Sequence, residues 1–227
     1  MIAVDLDVDG LRSLNARLHA LPFDTKERHW VVKNPMGQHS IACGLTQPLK
    51  VEIDGHAGFY CAGMNQHAEV LVKGHAGPGV AENMMSGVVR VKGNASQAAG
   101  ATGNGGLLIV HGDAAFALRD IYEGHRHRCG RVCGPYVCFY GTARKLGSVR
   151  QRSRSTGRLD LRSTPLCAGS VESLGADCIE KEMRAEHLES LASLLERAEI
   201  KADPKKFRRY GSARKLYNFN VDHADQS

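Results

Sequence analysis

The residues of this 227-residue chain that could do chemistry are dispersed histidines and cysteines. The candidate histidines share no ligand spacing: His39, His56, His67, His75 and His111. His56 and His75 recur at a 19-residue interval, each directly after a glycine. We expect these two to stack on the outer side of a turn, which favours a turn role over a metal site. Cys61 has no general base beside it in the sequence, so we interpret it as a buried structural thiol.

The glycine-rich string GNGG at Gly103–Gly106 opens no predicted helix. A phosphate loop needs the N-terminus of a helix behind it, so this string is not one. The sequence therefore predicts no catalytic, cofactor-binding or metal-binding residue in this chain.

A basic, cysteine-rich segment covers Gly124–Ala168. Its candidate ligands are His125, His127, Cys129, Cys133 and Cys138. The spacing C-x3-C-x4-C lacks the paired C-x2-C of zinc ribbons, which weakens an interpretation as a metal or nucleic-acid module. A disordered basic insertion is a second interpretation. The third, which we favour, is that the segment is translated out of frame.

The elements that position these residues are predicted from a five-residue motif, which we call the phrase. It occurs four times in Val51–Gly112, as VEIDG, VLVKG, VRVKG and LIVHG. Each phrase ends on a glycine, with a constant 19-residue interval between them, and alternates apolar with outward residues, as a half-buried strand does. This periodicity predicts a solenoid, a parallel β-helix of 19-residue coils. Two internal columns are predicted: Val51, Val70, Val89 and Leu108; and Ile53, Val72, Val91 and Val110.

Glycines are expected at the corners because they reach positive φ without a Cβ clash. The phrase glycines are Gly55, Gly74, Gly93 and Gly112, and the same pitch continues to Gly169. The leucine and asparagine signature of a leucine-rich repeat is absent, and a left-handed hexapeptide helix would need a period divisible by six.

Four regions follow from these patterns: 1–48, an N-terminal helix and cap; 49–115, the β-helix coils; 116–168, the aberrant basic segment, expected to be irregular; and 169–227, a coil remnant, a helix and a basic tail. Leucines from Leu11 to Leu21 predict the first helix, with Asp9 as N-cap and Pro22 as its stop. Strands are predicted at Trp30–Lys33 and Ser40–Cys43.

The second helix is predicted from the apolar spacing that begins at Ile179, with Asp177 as N-cap, and is expected to end near Pro204. The tail KKFRRYGSARKLYNF interleaves basic and aromatic residues. Such a tail could bind RNA, but anchoring on an acidic partner subunit is the favoured interpretation.

The frame hypothesis rests on the 19-residue pitch. The fifth phrase should close at position 131, but the chain reads HRCGR there. FALRDIYEGHRHR can be encoded by codons that, read one base later, give SRCGISMKGIDIV, with apolar residues where the columns require them. Permitted codons also allow phrase glycines at positions 131 and 150, and Gly169 follows at the same pitch.

Composition predicts one soluble cytoplasmic domain: no apolar run approaches the roughly 20 residues that span a bilayer, and the irregular cysteines suggest reduced thiols. The net charge of the chain is +6, but residues 116–168 hold eleven Lys and Arg against three acids, a net of +8, which leaves −2 for the remainder. The basic character belongs to one segment, so a nucleic-acid partner is not expected.

The stretches VEIDGHAGFYCAGMNQHAEVLVKGHAGPGV, WVVKNPMGQHSIACGL and SLGADCIEKEMRAEHLESLASLLERA resemble the GXGXG β-helix domain of the glutamate synthase large subunit. The resemblance is closest to the stand-alone version in three-part enzymes such as N-methylglutamate synthase. It covers most of 1–115 and 170–227, whereas 116–168 departs from it.

The resemblance implies a right-handed β-helix with an architectural, non-catalytic role. Its expected partners are a glutaminase-type amidotransferase subunit and an FMN synthase subunit, which would carry the FMN and the iron–sulfur cluster. The alternative is an accessory β-helix subunit of a formylmethanofuran-dehydrogenase-like molybdenum or tungsten enzyme.

Overall fold

The computed structural model describes residues 1–116, 130–132, 136–140, 144–148, 152–153, 163–168, 170–171 and 178–212. Its first half is one strand and one helix followed by a series of short strands. These elements are β1 (Ile2–Asp5), α1 (Leu11–His19), β2 (His29–Lys33), β3 (Lys50–Ile53), β4 (Glu69–Val72), β5 (Val88–Val91), β6 (Gly106–Val110) and β7 (Ala114–Phe116).

Strands β1 to β6 lie side by side in chain order, and every neighbouring pair is parallel. Val51 pairs with Val70, Val70 with Val89, and Val89 with Leu108, so each step advances by the 19-residue pitch. The predicted parallel β-helix is therefore confirmed. Each strand returns beside the previous one after one complete coil.

The interior of the solenoid consists of stacked aliphatic columns. The eight side chains assigned to the two strand columns are at most 2% exposed. A third column follows the glycine corner, where isolated parallel bridges join Ala57, Ala76, Ala95 and Ala114. Burying a Val or Leu side chain contributes roughly 1.5–3 kcal/mol, so these columns are a main source of stability.

The predicted second strand at Ser40–Cys43 is wrong. Ser40 and Ala42 have positive φ values of 58° and 54°, and the same alternation recurs one coil later at Tyr60, Ala62 and Met64. Alternate residues direct their N–H groups to opposite neighbours: Tyr60 donates to Pro78 in the next coil, whereas Ala62 donates to Ile41 in the previous one. These hydrogen bonds offset the roughly 1–2 kcal/mol cost of each left-handed residue.

Gly55 has the expected positive φ (153°), but the other three phrase glycines are required for a different reason. Gly74, Gly93 and Gly112 are not in the left-handed region. A Cβ on Gly93 would lie 2.5 Å from His75 Nδ1 and 2.7 Å from the carbonyl oxygen of Gly74. The preceding coil thus leaves no space for a side chain. Gly169 lies outside the described residues.

Helix α1 covers the open side of the first coil. Leu14 and Leu18 are fully buried. Asn15 donates from Nδ2 to Ser40 O (2.9 Å), and its Oδ1 accepts from Ala42 N (3.1 Å). The side-chain amide therefore satisfies backbone groups that a further coil would otherwise bind. The predicted Asp9 N-cap is wrong, because Gly10 occupies that position and Asp9 Oδ2 accepts from Asp5 N.

The parallel stack ends at β6. The next neighbour in the sheet is antiparallel to it, so the segment expected to be irregular contains strands but adds no parallel coil at this edge. The remaining strands are β8 (Gly130–Val132), β9 (Tyr136–Tyr140), β10 (Arg144–Ser148), β11 (Arg152–Ser153), β12 (Ser163–Ala168), β13 (Ser170–Val171), β14 (Cys178–Lys181) and β15 (Phe207–Ser212).

The second helix begins later and ends earlier than predicted. Helix α2 covers Ala185–Arg197, and the 3-10 turn at Pro204–Lys206 follows it. The strand β14 occupies the predicted first turn because it pairs antiparallel with β15, and this tertiary pairing overrides the helical spacing. Arg184 takes the N-cap position, and the predicted N-cap, Asp177, lies outside the described residues.

We predict that Gly93→Ala destabilises the fold by roughly 3 kcal/mol, because the added methyl group would overlap the backbone of the previous coil. Urea unfolding followed by circular dichroism measures the change. Gly37→Ala is the matched control. Gly37 has positive φ but open space around its Cβ, so it should cost only about 1 kcal/mol. Equal costs for the two variants would contradict this account.

Candidate functional site

A row of polar side chains follows the phrase glycines along one corner of the solenoid. His56 Nδ1 accepts from His75 N (2.9 Å), His75 Nδ1 from Asn94 N (2.8 Å), and Asn94 Oδ1 from Asp113 N (2.9 Å). Each side chain thus binds the backbone of the next coil. We call His56, His75 and Asn94 the donor row, because of what their outer atoms present.

The hydrogen bonds fix the tautomer of both imidazoles. A backbone N–H can only donate, so Nδ1 of His56 and of His75 carries a lone pair, and the ring proton of a neutral imidazole lies on Nε2. The two exposed rings stack in parallel, 4.9 Å between centroids and 2° between planes. Both Nε2–H groups are then donors, as is the Nδ2 group of Asn94.

This arrangement does not suit a metal ion at the histidine pair. A ligating Nε2 needs a free lone pair, and here that nitrogen holds the proton. Among the residues that the structure describes, no group of three His, Cys, Asp or Glu side chains is arranged to hold a metal ion. The predicted outward stacking of His56 and His75 is thus observed, whereas their role as hydrogen-bond acceptors was missed. The presence of Asn94 and Asp113 at the same repeat position was the available signal, since both side chains have an acceptor atom.

His39 makes a similar contact at a different position of the first coil, the one that Phe59 occupies in the next coil. Its Nδ1 accepts from Phe59 N at 3.0 Å, and its ring stacks on that of Phe59 at 4.5 Å. Gly58 lies beneath this imidazole, where a Cβ would be 2.2 Å from Nδ1. His67 lies on another surface, where its ring meets Phe23 edge-on at 5.5 Å. The structure does not bring the candidate histidines into one cluster.

Cys61 is fully buried, and burial raises the pKa of its thiol to about 12, with a further contribution from Cys43. Burial also raises the pKa of Cys43. Because the thiolate is the reactive form, neither cysteine has the environment of a nucleophile. The burial of Cys61 fits the predicted structural role.

The outer face of β2–β4 carries an ion-pair network centred on Glu52. Its carboxylate lies 3.0 Å from His29 Nε2, 3.5 Å from Lys50 Nζ and 3.7 Å from Lys73 Nζ. Burial alone would raise the pKa of Glu52, but the hydrogen bonds and charges of His29 and Lys50 outweigh it and lower the pKa. The network links three successive coils.

Arg90 joins the coils to the C-terminal helix, a contact that the sequence did not reveal. Its guanidinium donates to Ala198 O (3.0 Å) and Arg197 O (2.9 Å) and pairs with Glu199 at 3.1 Å. A cation at the last carbonyls also interacts favourably with the helix dipole. Beside it, Leu194 of α2 and Ala198, the C-cap of that helix, pack on the outward Leu107 and Ile109. In hindsight, the two apolar residues facing outward in LLIV were the signal that something covers this face.

His111 lies at the edge of this contact, and its Nε2 is 3.5 Å from Lys92 Nζ. Burial, then Lys92, then Arg90 lower the pKa of the imidazole, partly offset by Glu199. In the folded protein His111 therefore takes up its proton at a lower pH than in the unfolded chain. Its contribution to stability falls as pH decreases from about 6.5, the ordinary pKa, through the folded-state pKa.

We predict that His111→Gln removes part of the stability loss on acidification below about pH 6.5. The measurement is the free energy of unfolding in urea as a function of pH, compared with the wild type. Lys92→Met is the companion variant, because it removes one cause of the lowered pKa and should give an intermediate pH dependence. Identical pH dependence in all three proteins would show that His111 does not titrate as described.

The described region contains no helix long and apolar enough to cross a membrane. No protein-family model matches the chain, and no solved structure matches it significantly. The chain is 46% identical to Protein GlxC of Rhizobium meliloti (strain 1021) over 226 residues, an alignment that covers 99% of both chains. With that identity along its whole length, the chain belongs to the GlxC protein family.

Proposed function

We propose that this chain is a non-catalytic structural subunit of a heteromeric glutamate-synthase-type enzyme, either a glutamate or an N-methylglutamate synthase. In this role the solenoid braces a glutaminase-type amidotransferase subunit against an FMN synthase subunit. FMN and an iron–sulfur cluster belong to those partners, and the reaction takes place on them.

The observation that carries the proposal is how the described polar side chains are used. Asn15, the imidazoles of His39, His56 and His75, and Asn94 all bind the backbone of a neighbouring coil. The interior between these contacts is filled by aliphatic columns. Side chains that could otherwise act in catalysis thus form hydrogen bonds between neighbouring parts of the backbone. This use suits a rigid scaffold better than a reaction centre.

Two further points support the proposal. The repeated phrases and their flanking motifs resemble the GXGXG domain of glutamate synthases. The chain also aligns with GlxC along 99% of both sequences, so the resemblance is not limited to the repeated phrases.

Co-expression tests the assembly. We expect an affinity-tagged copy of this chain to retain a glutaminase-type and an FMN synthase-type subunit encoded in the same genome, and the complex to show flavin and iron–sulfur absorbance. Val70→Asp is the control, because a buried carboxylate in the central column should collapse the coils and abolish retention. Retention of molybdopterin-binding subunits would contradict the proposal. So would a chain that retains no partner after residues 116–168 have been restored to the shifted reading frame.

We also propose that residues 116–168 are read from a shifted frame. The fifth phrase is missing where the 19-residue pitch requires it, and the basic residues are concentrated there. We expect the coding DNA to hold an uninterrupted frame, one base later, that encodes SRCGISMKGIDIV from Phe116 onward and rejoins near Ala168. Identities to GlxC should then concentrate in 1–115 and 169–227, and the frame-restored chain should retain partners better. An alternative frame interrupted by stop codons would refute the hypothesis.

A further inference from the structure

We propose that the donor row formed by His56, His75 and Asn94 is a docking surface for a short acidic segment of a partner protein. The row lies at an exposed corner, and its inner atoms already bind the backbone of the next coil. Its outer atoms, the Nε2 groups of the two imidazoles and Nδ2 of the amide, have no hydrogen-bond partner among the described residues. Three aligned donors therefore face outward.

The geometry of the row is set by the solenoid. Successive members are separated by one coil, about 4.8 Å, so the three donors cover roughly 10 Å. The imidazoles are held in parallel by their Nδ1 contacts and their stacking. A ligand would therefore meet donors whose side-chain orientation is already fixed, which reduces the entropy lost on binding.

The charges beside the row favour a carboxylate ligand. Lys73 and Lys92 lie two residues before His75 and Asn94 in their coils and are exposed. Lys73 is paired with Asp54 and Glu52, whereas Lys92 contacts only His111 and has no carboxylate within ion-pair distance among the described residues. Neutral N–H donors and one unpaired ammonium group match the acceptor-only oxygens of a carboxylate.

A nucleic acid fits the row less well than an acidic peptide. Asp113 follows Asn94 in the row, whereas Asp54 lies two residues before His56, beside the row, where it pairs with Lys73. A phosphate backbone that continued along the corner would pass the position of Asp113, whereas a short peptide with two or three carboxylates can end before it. An acidic partner would bind here whether or not the chain belongs to a glutamate-synthase-type complex.

The chain itself provides the variants for a test. Asn94 shows that an amide can replace imidazole in the row, with Oδ1 as the inner acceptor and Nδ2 as the outer donor. His56→Asn with His75→Asn should therefore keep both functions. His56→Asp with His75→Asp should keep the inner acceptor but place negative charge where the donors were. Ser13→Asp with Gln97→Asp is the control for charge, because both residues are exposed and lie outside the row.

Binding is measured by fluorescence anisotropy with a labelled oligo-glutamate peptide, and with oligo-glutamine of equal length as the neutral reference. We expect the wild type to prefer oligo-glutamate. The double-Asn variant should bind within about twofold of the wild type, and the double-Asp variant at least about tenfold more weakly, since like charges placed in contact are strongly unfavourable. The charge control should lose much less, because exposed charges at a distance are screened by salt.

Nuclear magnetic resonance of the wild type provides a measurement that does not depend on any variant folding. The Nε2 resonances of His56 and His75 should shift when oligo-glutamate is added, and those of His67 should not. Several results would overturn the proposal: unchanged Nε2 resonances, equal losses for the double-Asp variant and the charge control, no preference over oligo-glutamine, or displacement of the peptide by a single-stranded oligonucleotide at equal charge. Failure to retain glutaminase or FMN synthase subunits would count only against the proposed complex.

Discussion

The close approach of successive coils at the glycine corner is the constraint on which the rest of this structure depends. At this corner the backbone of one coil lies so near the next that a Cβ on Gly74 would be 2.6 Å from the carbonyl carbon of Gly55. The same approach brings each backbone N–H within reach of the acceptor on the preceding coil. The glycine has no Cβ, and the residue directly after it has an acceptor side chain. Both features therefore allow neighbouring coils to approach each other closely at this corner. Together they hold the strands in parallel register and stack the aliphatic columns behind them.

The two ends of the stack are closed by different means. At the first coil, Asn15 of α1 donates to and accepts from the backbone, so a side chain takes the place of a coil. Near the other end, α2 covers the outer face of the sheet rather than its edge, and Arg90 binds the last carbonyls of that helix. The antiparallel pairing of β9 with β6 interrupts the repeat there. Asn15 at the first coil and the pairing with β9 at β6 satisfy backbone groups that a solenoid leaves open at its ends.

The stacked parallel strands could be predicted from the sequence because the repeat length and the alternation of apolar residues are local properties of the chain. Alternation of apolar residues with a fixed 19-residue pitch identified the strands β3 to β6 and their register. It could not predict the left-handed residues at Tyr60 and Ala62, since nothing in the identity of those residues signals positive φ; only the hydrogen bonds to neighbouring coils do. The strand β14 was mistaken for helix for a similar reason, because its pairing partner β15 is distant in the chain. Arg90 looked like an ordinary exposed strand residue, and its partners belong to the far end of the second helix.

The first coil shows how such a fold can change its length. Trp30 pairs with Val51 and Val51 with Val70, so this coil has two residues more than its successors. The backbone contacts place the extra residues in two different corners: Gly37 stands where Ala57 stands in the next coil, and Gly44 where Met64 stands, whereas the strands before and after keep their pairing. The extra residues are thus absorbed at the bends, and the strand pairing is unchanged. Deletions or insertions within a strand or an alternating left-handed stretch would instead shift every later contact by one step. Members of this family should accordingly differ from one another in the length of the bends or in the number of whole coils.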